Sequence, residues 1–116
     1  MNICIFVGAR PNFIKVAPIL RVMEAAGVSH SLVYAGREDD PTLEPSLFDD
    51  LQMRRPDVFL GVDCENLNEL TGQVMSAFER YLQNHKTDAV IVVDDLASTM
   101  AAAIVTKKQG IRLAHL

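Results

Sequence analysis

The sequence predicts an α/β domain: five parallel strands in the order 3-2-1-4-5, with helices on both faces of the sheet. Three observations point there. Strand-like apolar runs alternate with helix-periodic segments along all 116 residues. Two of those runs, residues 2–7 and 88–93, read as apolar on both faces, as strands covered by helices on each side do. Glycines mark the breaks between segments: Gly8 after the first run, Gly27 after the first helix, Gly36 after the second strand and Gly110 after the last helix.

Taken in order, residues 2–7 form strand 1 and Gly8 opens a turn. Residues 12–26 form a helix in which Phe13, Ala17 and Leu20 recur at helical spacing, and Gly27 closes it. Pro18 falls inside and cannot donate to the carbonyl of Ile14, so either a bend, a water at that carbonyl, or a later start of the regular helix is expected. Strand 2 covers 31–35, a polar loop with Pro41 and Pro45 follows, and a short helix occupies 46–52. Strand 3 is read over 57–62. A long amphipathic helix spans 66–84, with Leu67, Leu70, Val74, Phe78, Tyr81 and Leu82 on one side. Strand 4 covers 88–93, a small-residue helix 97–109, and strand 5 residues 111–115. The chain is one domain, without internal repeats or low-complexity tracts.

Composition narrows the function. Hydrophobic residues make up 49% and charged residues 22%, the balance of an ordinary soluble domain. The formal net charge of −4 excludes a general nucleic-acid binder, because no basic stripe exists to displace counterions. Cys4 and Cys64 form no CxxC, no metal-ligand spacing and no disulfide framework, so the cysteines point to no metal site. The first apolar run is too short for a signal or membrane helix, and a reducing cytoplasm is the expected compartment.

The proposed strand order places the switch in direction between strands 1 and 4, where open α/β sheets bind ligands at the carboxyl ends. Three distant segments meet on that rim: the turn from Gly8 to Lys15, the turn from Asp94 to Thr99, and the end of strand 5 at His115. Arg10 and Lys15 are fixed cations at a helix start, where backbone N–H groups and the helix dipole favour an anion. Gly8 is the only glycine of its turn, so this is not the three-glycine dinucleotide fingerprint. Asp95 is a candidate general acid or base, a role that needs burial at the strand end; the commoner use of aspartates at this position is to cap the following helix, and Asp94 and Asp95 can do that. Adjacent residues point to opposite sides, so only one of the two should face the cleft. Ser98 and Thr99 are either caps or phosphate donors. Glu38-Asp39-Asp40 reads as a solvated acidic loop.

Together these residues resemble the non-hydrolysing UDP-N-acetylglucosamine 2-epimerases. Gly8-Ala9-Arg10-Pro11-Asn12-Phe13-Ile14-Lys15-Val16-Ala17-Pro18 is similar to that family's opening, G-[TA]-R-P-x-x-[IF]-K-x-A-P. The segment from Asp88 through Asp94-Asp95, Ser98-Thr99 and Gly110-Ile111-Arg112-Leu113-Ala114-His115 is similar to its second turn, Ala-rich helix and G-I-x-[VL]-x-H ending. The resemblance implies a GT-B-type enzyme of two Rossmann-like domains with the active site between them. It further implies interconversion of UDP-GlcNAc and UDP-ManNAc by elimination and re-addition of UDP, without a cofactor or metal, in cell-surface polysaccharide biosynthesis. On this likeness Asp95 is the catalytic acidic residue, and Gly8, Arg10, Lys15, Ser98 and His115 bind the UDP-sugar.

The departures are as specific. Asp94 stands where the family carries glycine, Ala97 where it carries a polar residue, and Arg37-Glu38 where it carries Gln-His. The resemblance reaches Leu116, where the family continues with a catalytic Glu and the UDP-binding C-terminal domain. The chain is therefore expected to be the N-terminal half, truncated or degenerate, and inactive alone. Two other functions stay open: a non-catalytic domain that binds a nucleotide sugar or a partner, and half of a GT-B glycosyltransferase. Self-association through the exposed cleft face or the sheet edge at strand 5 is also expected.

Overall fold

A computed structural model describes residues 1–116 as a five-stranded, all-parallel sheet in the order β3-β2-β1-β4-β5. The elements are β1 (Asn2–Val7), α1 (Arg10–Ala26), β2 (Ser29–Tyr34), α2 (Pro45–Asp50), β3 (Val58–Phe59), α3 (Leu67–Asn84), β4 (Ala89–Val92), α4 (Ala97–Lys108) and β5 (Arg112–His115). The strand order and the alternation agree with the sequence reading. β1 sits at the centre and pairs with β2 along one edge and β4 along the other.

Alternation along β1 divides the interior in two. Cys4 and Phe6 point into one core with Val74, Phe78, Val90, Val92, Ala101 and Val105, beneath α3 and α4. Ile5 and Val7 point into the other with Phe13, Val16, Leu20, Leu32, Leu47 and Phe48, beneath α1 and α2. Aromatic contacts hold each side: Phe6 meets Phe78 at 5.0 Å between ring centroids, and Phe13 bridges Tyr34 at 5.5 Å and Phe48 at 5.3 Å. Cys4 is a packing residue, its thiol pushed up to about 12 by burial and so unreactive. Cys64 is half-buried and packs against the first core rather than lying free in its loop.

α1 begins at Arg10 and runs through Pro18 without interruption, so the later start is not adopted. Both Pro18 and Ile14 are exposed, which leaves the Ile14 carbonyl open to water. Gly27 ends the helix with φ +69, and its N–H donates back to the carbonyl of Glu24 at 3.2 Å. β3 is shorter than expected because Gly61, at φ +76, turns the chain. Pairing continues irregularly past it: the N–H groups of Leu60, Gly61 and Val62 donate to Tyr34, Gly36 and Ala35 at 2.8, 3.0 and 3.0 Å.

Two aspartates brace the β2–β3 side. Asp57 accepts the Leu32 N–H at 2.7 Å and donates its own N–H to the Leu32 carbonyl at 2.8 Å, while Arg54 reaches its carboxylate at 3.0 Å. Burial works against ionisation of Asp57, but Arg54 and the Leu32 N–H outweigh it and hold the carboxyl below the usual range. Asp40 accepts from the Tyr34 hydroxyl at 2.6 Å and from the Thr42 N–H and hydroxyl at 2.9 and 2.7 Å. The acidic loop is therefore not simply solvated: one of its members is a tertiary anchor.

A depressed carboxylate stabilises the fold above its unfolded value and ceases to do so as pH falls through the folded one. Asp57 should thus contribute at neutral pH and progressively less from about pH 5 downward. Urea unfolding of Asp57→Asn should show a stability loss at pH 7 that shrinks toward pH 3; a loss independent of pH would refute this.

Candidate functional site

The carboxyl ends of β1, β4 and β5 meet at one rim, and β1 and β4 each deliver a turn to it. Val7 ends β1 fully buried, and Gly8 follows, so the start of α1 is fixed directly above the sheet. Val92 ends β4, and the chain passes through Val93, Asp94, Asp95 and Leu96 into α4. β5 closes the group: the Leu116 N–H donates to the Val92 carbonyl at 2.9 Å, and the Asp94 N–H to the Leu116 carbonyl at 3.0 Å.

Gly8 and Ser98 lie in direct contact. A Cβ at position 8 would stand 2.0 Å from the Ser98 Oγ and 3.1 Å from its Cβ, so only glycine leaves the hydroxyl where it is. Ser98 is 4% exposed, and its hydroxyl has no side-chain hydrogen bond within the protein; it lines a cavity of about 370 Å³ together with Gly8, Gly36, Arg37, Asp40 and Asp63. The neighbouring Thr99 is committed to structure, donating from Oγ1 to the Val93 carbonyl at 3.1 Å. α1 and α4 both start without a side-chain cap, at Ala9 and Leu96. By contrast Asn66 caps α3, accepting from Asn68 and Glu69 at 2.9 and 3.1 Å. Neither Asp94 nor Asp95 serves as a cap.

Asp94 is the hub of the rim. Its backbone is left-handed, with φ +63, a conformation aspartate tolerates better than most residues. The bend aims its carboxylate at α1, where Oδ2 accepts from Asn12 Nδ2 at 2.8 Å and Oδ1 forms a hydrogen-bonded ion pair with the Lys15 ammonium. Asn12, 1% exposed, returns its own Oδ1 to the Gly8 N–H at 3.0 Å. His115 donates from Nε2 to the Asp94 carbonyl. The Lys15 hydrogen bond, working against partial desolvation and helped by the charge of Lys15, holds the Asp94 carboxyl below the usual carboxylate range.

The site residues expected from sequence thus fall into distinct situations. Gly8 and Ser98 touch each other at the cavity, and His115 is tied to the same turn. Lys15 is at the rim with its charge engaged by Asp94. Arg10 is exposed and makes no ion pair, and Arg37 is held by Asp39 at 2.9 Å. Asp95 is exposed, so this domain alone does not supply the strand-end burial that acid–base work needs. Asn12 escaped the sequence reading. The available sign was an amide beside Phe13 on the apolar edge of α1, a place where polar groups need a partner. No three His, Cys, Asp or Glu side chains converge as a metal centre would require, and no helix is long and apolar enough to cross a membrane.

Comparison with known proteins gives a consistent picture. Residues 21–116 match the family model described as UDP-N-acetylglucosamine 2-epimerase. A UDP-N-acetylglucosamine 2-epimerase homolog of Methanococcus maripaludis is 31% identical over 99% of this chain and 32% of its own. The UDP-2,3-diacetamido-2,3-dideoxy-D-glucuronate 2-epimerase of Pseudomonas aeruginosa is 28% identical over 100% of this chain and 33% of its own. The crystal structure of the Methanocaldococcus jannaschii UDP-GlcNAc 2-epimerase in complex with UDP-GlcNAc and UDP superposes with a TM-score of 0.88 at 27% identity, over 100% of this chain and 32% of that one. The chain spans about a third of the length of the relatives it matches.

The Gly8–Ser98 contact makes a direct prediction. Gly8→Ala should displace the Ser98 hydroxyl and lower stability by about 1–3 kcal/mol, and adding Ser98→Ala should recover most of that loss. Chemical denaturation of the single and double variants checks it; equal loss in both would show that the contact is not the cause.

Proposed function

The chain belongs to the UDP-N-acetylglucosamine 2-epimerase family, and from that premise we propose that residues 1–116 form the N-terminal, Rossmann-like domain of a two-domain, GT-B-type epimerase. The reaction is the interconversion of UDP-GlcNAc and UDP-ManNAc, and the UDP-binding domain that closes the cleft is a separate unit. The observation that carries this reading is the rim itself: the free Ser98 hydroxyl and Gly8 at one cavity, beside two helix starts without side-chain caps.

The chemistry follows from charge. Elimination of UDP builds negative charge on a leaving diphosphate, and guanidinium and ammonium groups near a helix start stabilise it. Arg10, exposed and unpaired, is the group best placed to take a phosphate oxygen in a forked hydrogen bond. Ser98 supplies a hydroxyl donor whose position Gly8 preserves. His115 orders the Asp94 turn and so presents Asp95 to the cleft, where Asp95 moves a proton at the sugar. A second domain closing over Asp95 would remove the water that surrounds it here. Lys15 joins the phosphate site only when its ammonium is released from Asp94.

Two measurements test this. The purified 116-residue chain should convert no UDP-GlcNAc to UDP-ManNAc, because half of the cleft belongs to the other domain; turnover would overturn the assignment of the domains. In calorimetric titration with UDP, Arg10→Ala should weaken binding about three- to tenfold at low ionic strength. Binding indifferent to Arg10 would remove the phosphate role.

A further inference from the structure

The anion position at the start of α1 is already filled by the protein. An incoming phosphate would be expected to take the Lys15 ammonium, the Asn12 amide and the space between them. Asp94 takes both groups with its two carboxylate oxygens, one to each. It does so from a left-handed backbone conformation, φ +63, which carries the carboxylate across from the β4–α4 turn to α1. We propose that Asp94 is the specificity-determining residue of this rim, an internal carboxylate that stands in for a ligand's phosphate and keeps Lys15 from it.

This rests on the reading of the rim as a phosphate site. Two consequences follow. A phosphate approaching Lys15 meets a neutral pair rather than a cation, and it must either displace a carboxylate or sit beside one. Like charges at that separation repel, so the rim discriminates against ligands that place full negative charge at Lys15. Arg10 is left as the unpaired cation of the helix start, so a ligand phosphate turns to Arg10 rather than to Lys15. The pair is also exposed enough to open without great cost: the Lys15 side chain is 57% exposed and that of Asp94 26%.

Position 94 permits a clean test. Glycine adopts a left-handed backbone without strain, so Asp94→Gly removes the carboxylate while the turn keeps its shape. Asp94→Asn keeps an acceptor for Asn12 and removes only the charge, and it carries the test if the glycine variant is unstable. Calorimetric titration of the 116-residue chain with inorganic pyrophosphate and with UDP, at low ionic strength, should give about three- to tenfold tighter binding for both variants than for the parent. Adding Lys15→Ala to either variant should abolish the gain, and raising the salt should shrink it. Unchanged or weaker binding in both variants overturns the proposal, and so does a gain that survives Lys15→Ala. Arg10→Ala separates the two levels. If it weakens binding in parent and variant alike while Asp94→Gly and Asp94→Asn give no gain, the phosphate site stands and the role of Asp94 falls. If Arg10→Ala has no effect in either background, the phosphate reading falls with it.

Discussion

Every backbone group of a strand buried on both faces must find its partner inside the sheet, and β1 meets that demand by pairing along both edges. Its side chains then have nowhere to go but into protein. Cys4 and Phe6 supply one core and Ile5 and Val7 the other, all four at 0–1% exposure. The strand cannot slip by one residue without exchanging the two sets, so its register is fixed. With the register fixed, Gly8 comes to rest against Ser98 and α1 starts at a set height above the sheet. The geometry of the rim is inherited from the packing beneath it.

That dependence explains what was legible in the sequence. The runs of β1 and β4 and the amphipathic spacing of α3 report burial directly, and burial is a property each segment carries by itself. The strand order then brought Gly8, Asp95, Ser98 and His115 to one edge without further information. β3 was overread because the apolar run continues to Val62, while a positive φ at Gly61 ends the regular ladder after Phe59. Tyr34 and Asp40 looked like a strand end and a loop charge until their hydrogen bond joined them. Asn12 and Lys15 are 82 and 79 positions from Asp94, and nothing local in either segment announces the contact. Pairings of that kind are decided by the fold.

The electrostatics of the rim show the same division. Counting residues gives a helix start with two cations, a ready place for a diphosphate. The folded chain spends one of them on its own carboxylate and ties Arg37 to Asp39, leaving Arg10. The domain keeps the fold of its solved relatives along its whole length. The turn after β4 adds to that scaffold a carboxylate, Asp94, which engages Asn12 and Lys15. Likeness of fold does not by itself fix ligand preference.

The central place of β1 also has a consequence for how the chain is made. Its partner in β4 lies far along the sequence: Ile3 through Phe6 pair with Ala89 through Val92. β2 can join one edge early, but the other edge waits for the last third of the domain. At ordinary rates of protein synthesis that interval is on the order of ten seconds. Throughout it, an apolar segment of the nascent chain presents an unsatisfied ladder at the ribosome. The strand that anchors the finished sheet is the one left longest with an open edge while it is being built.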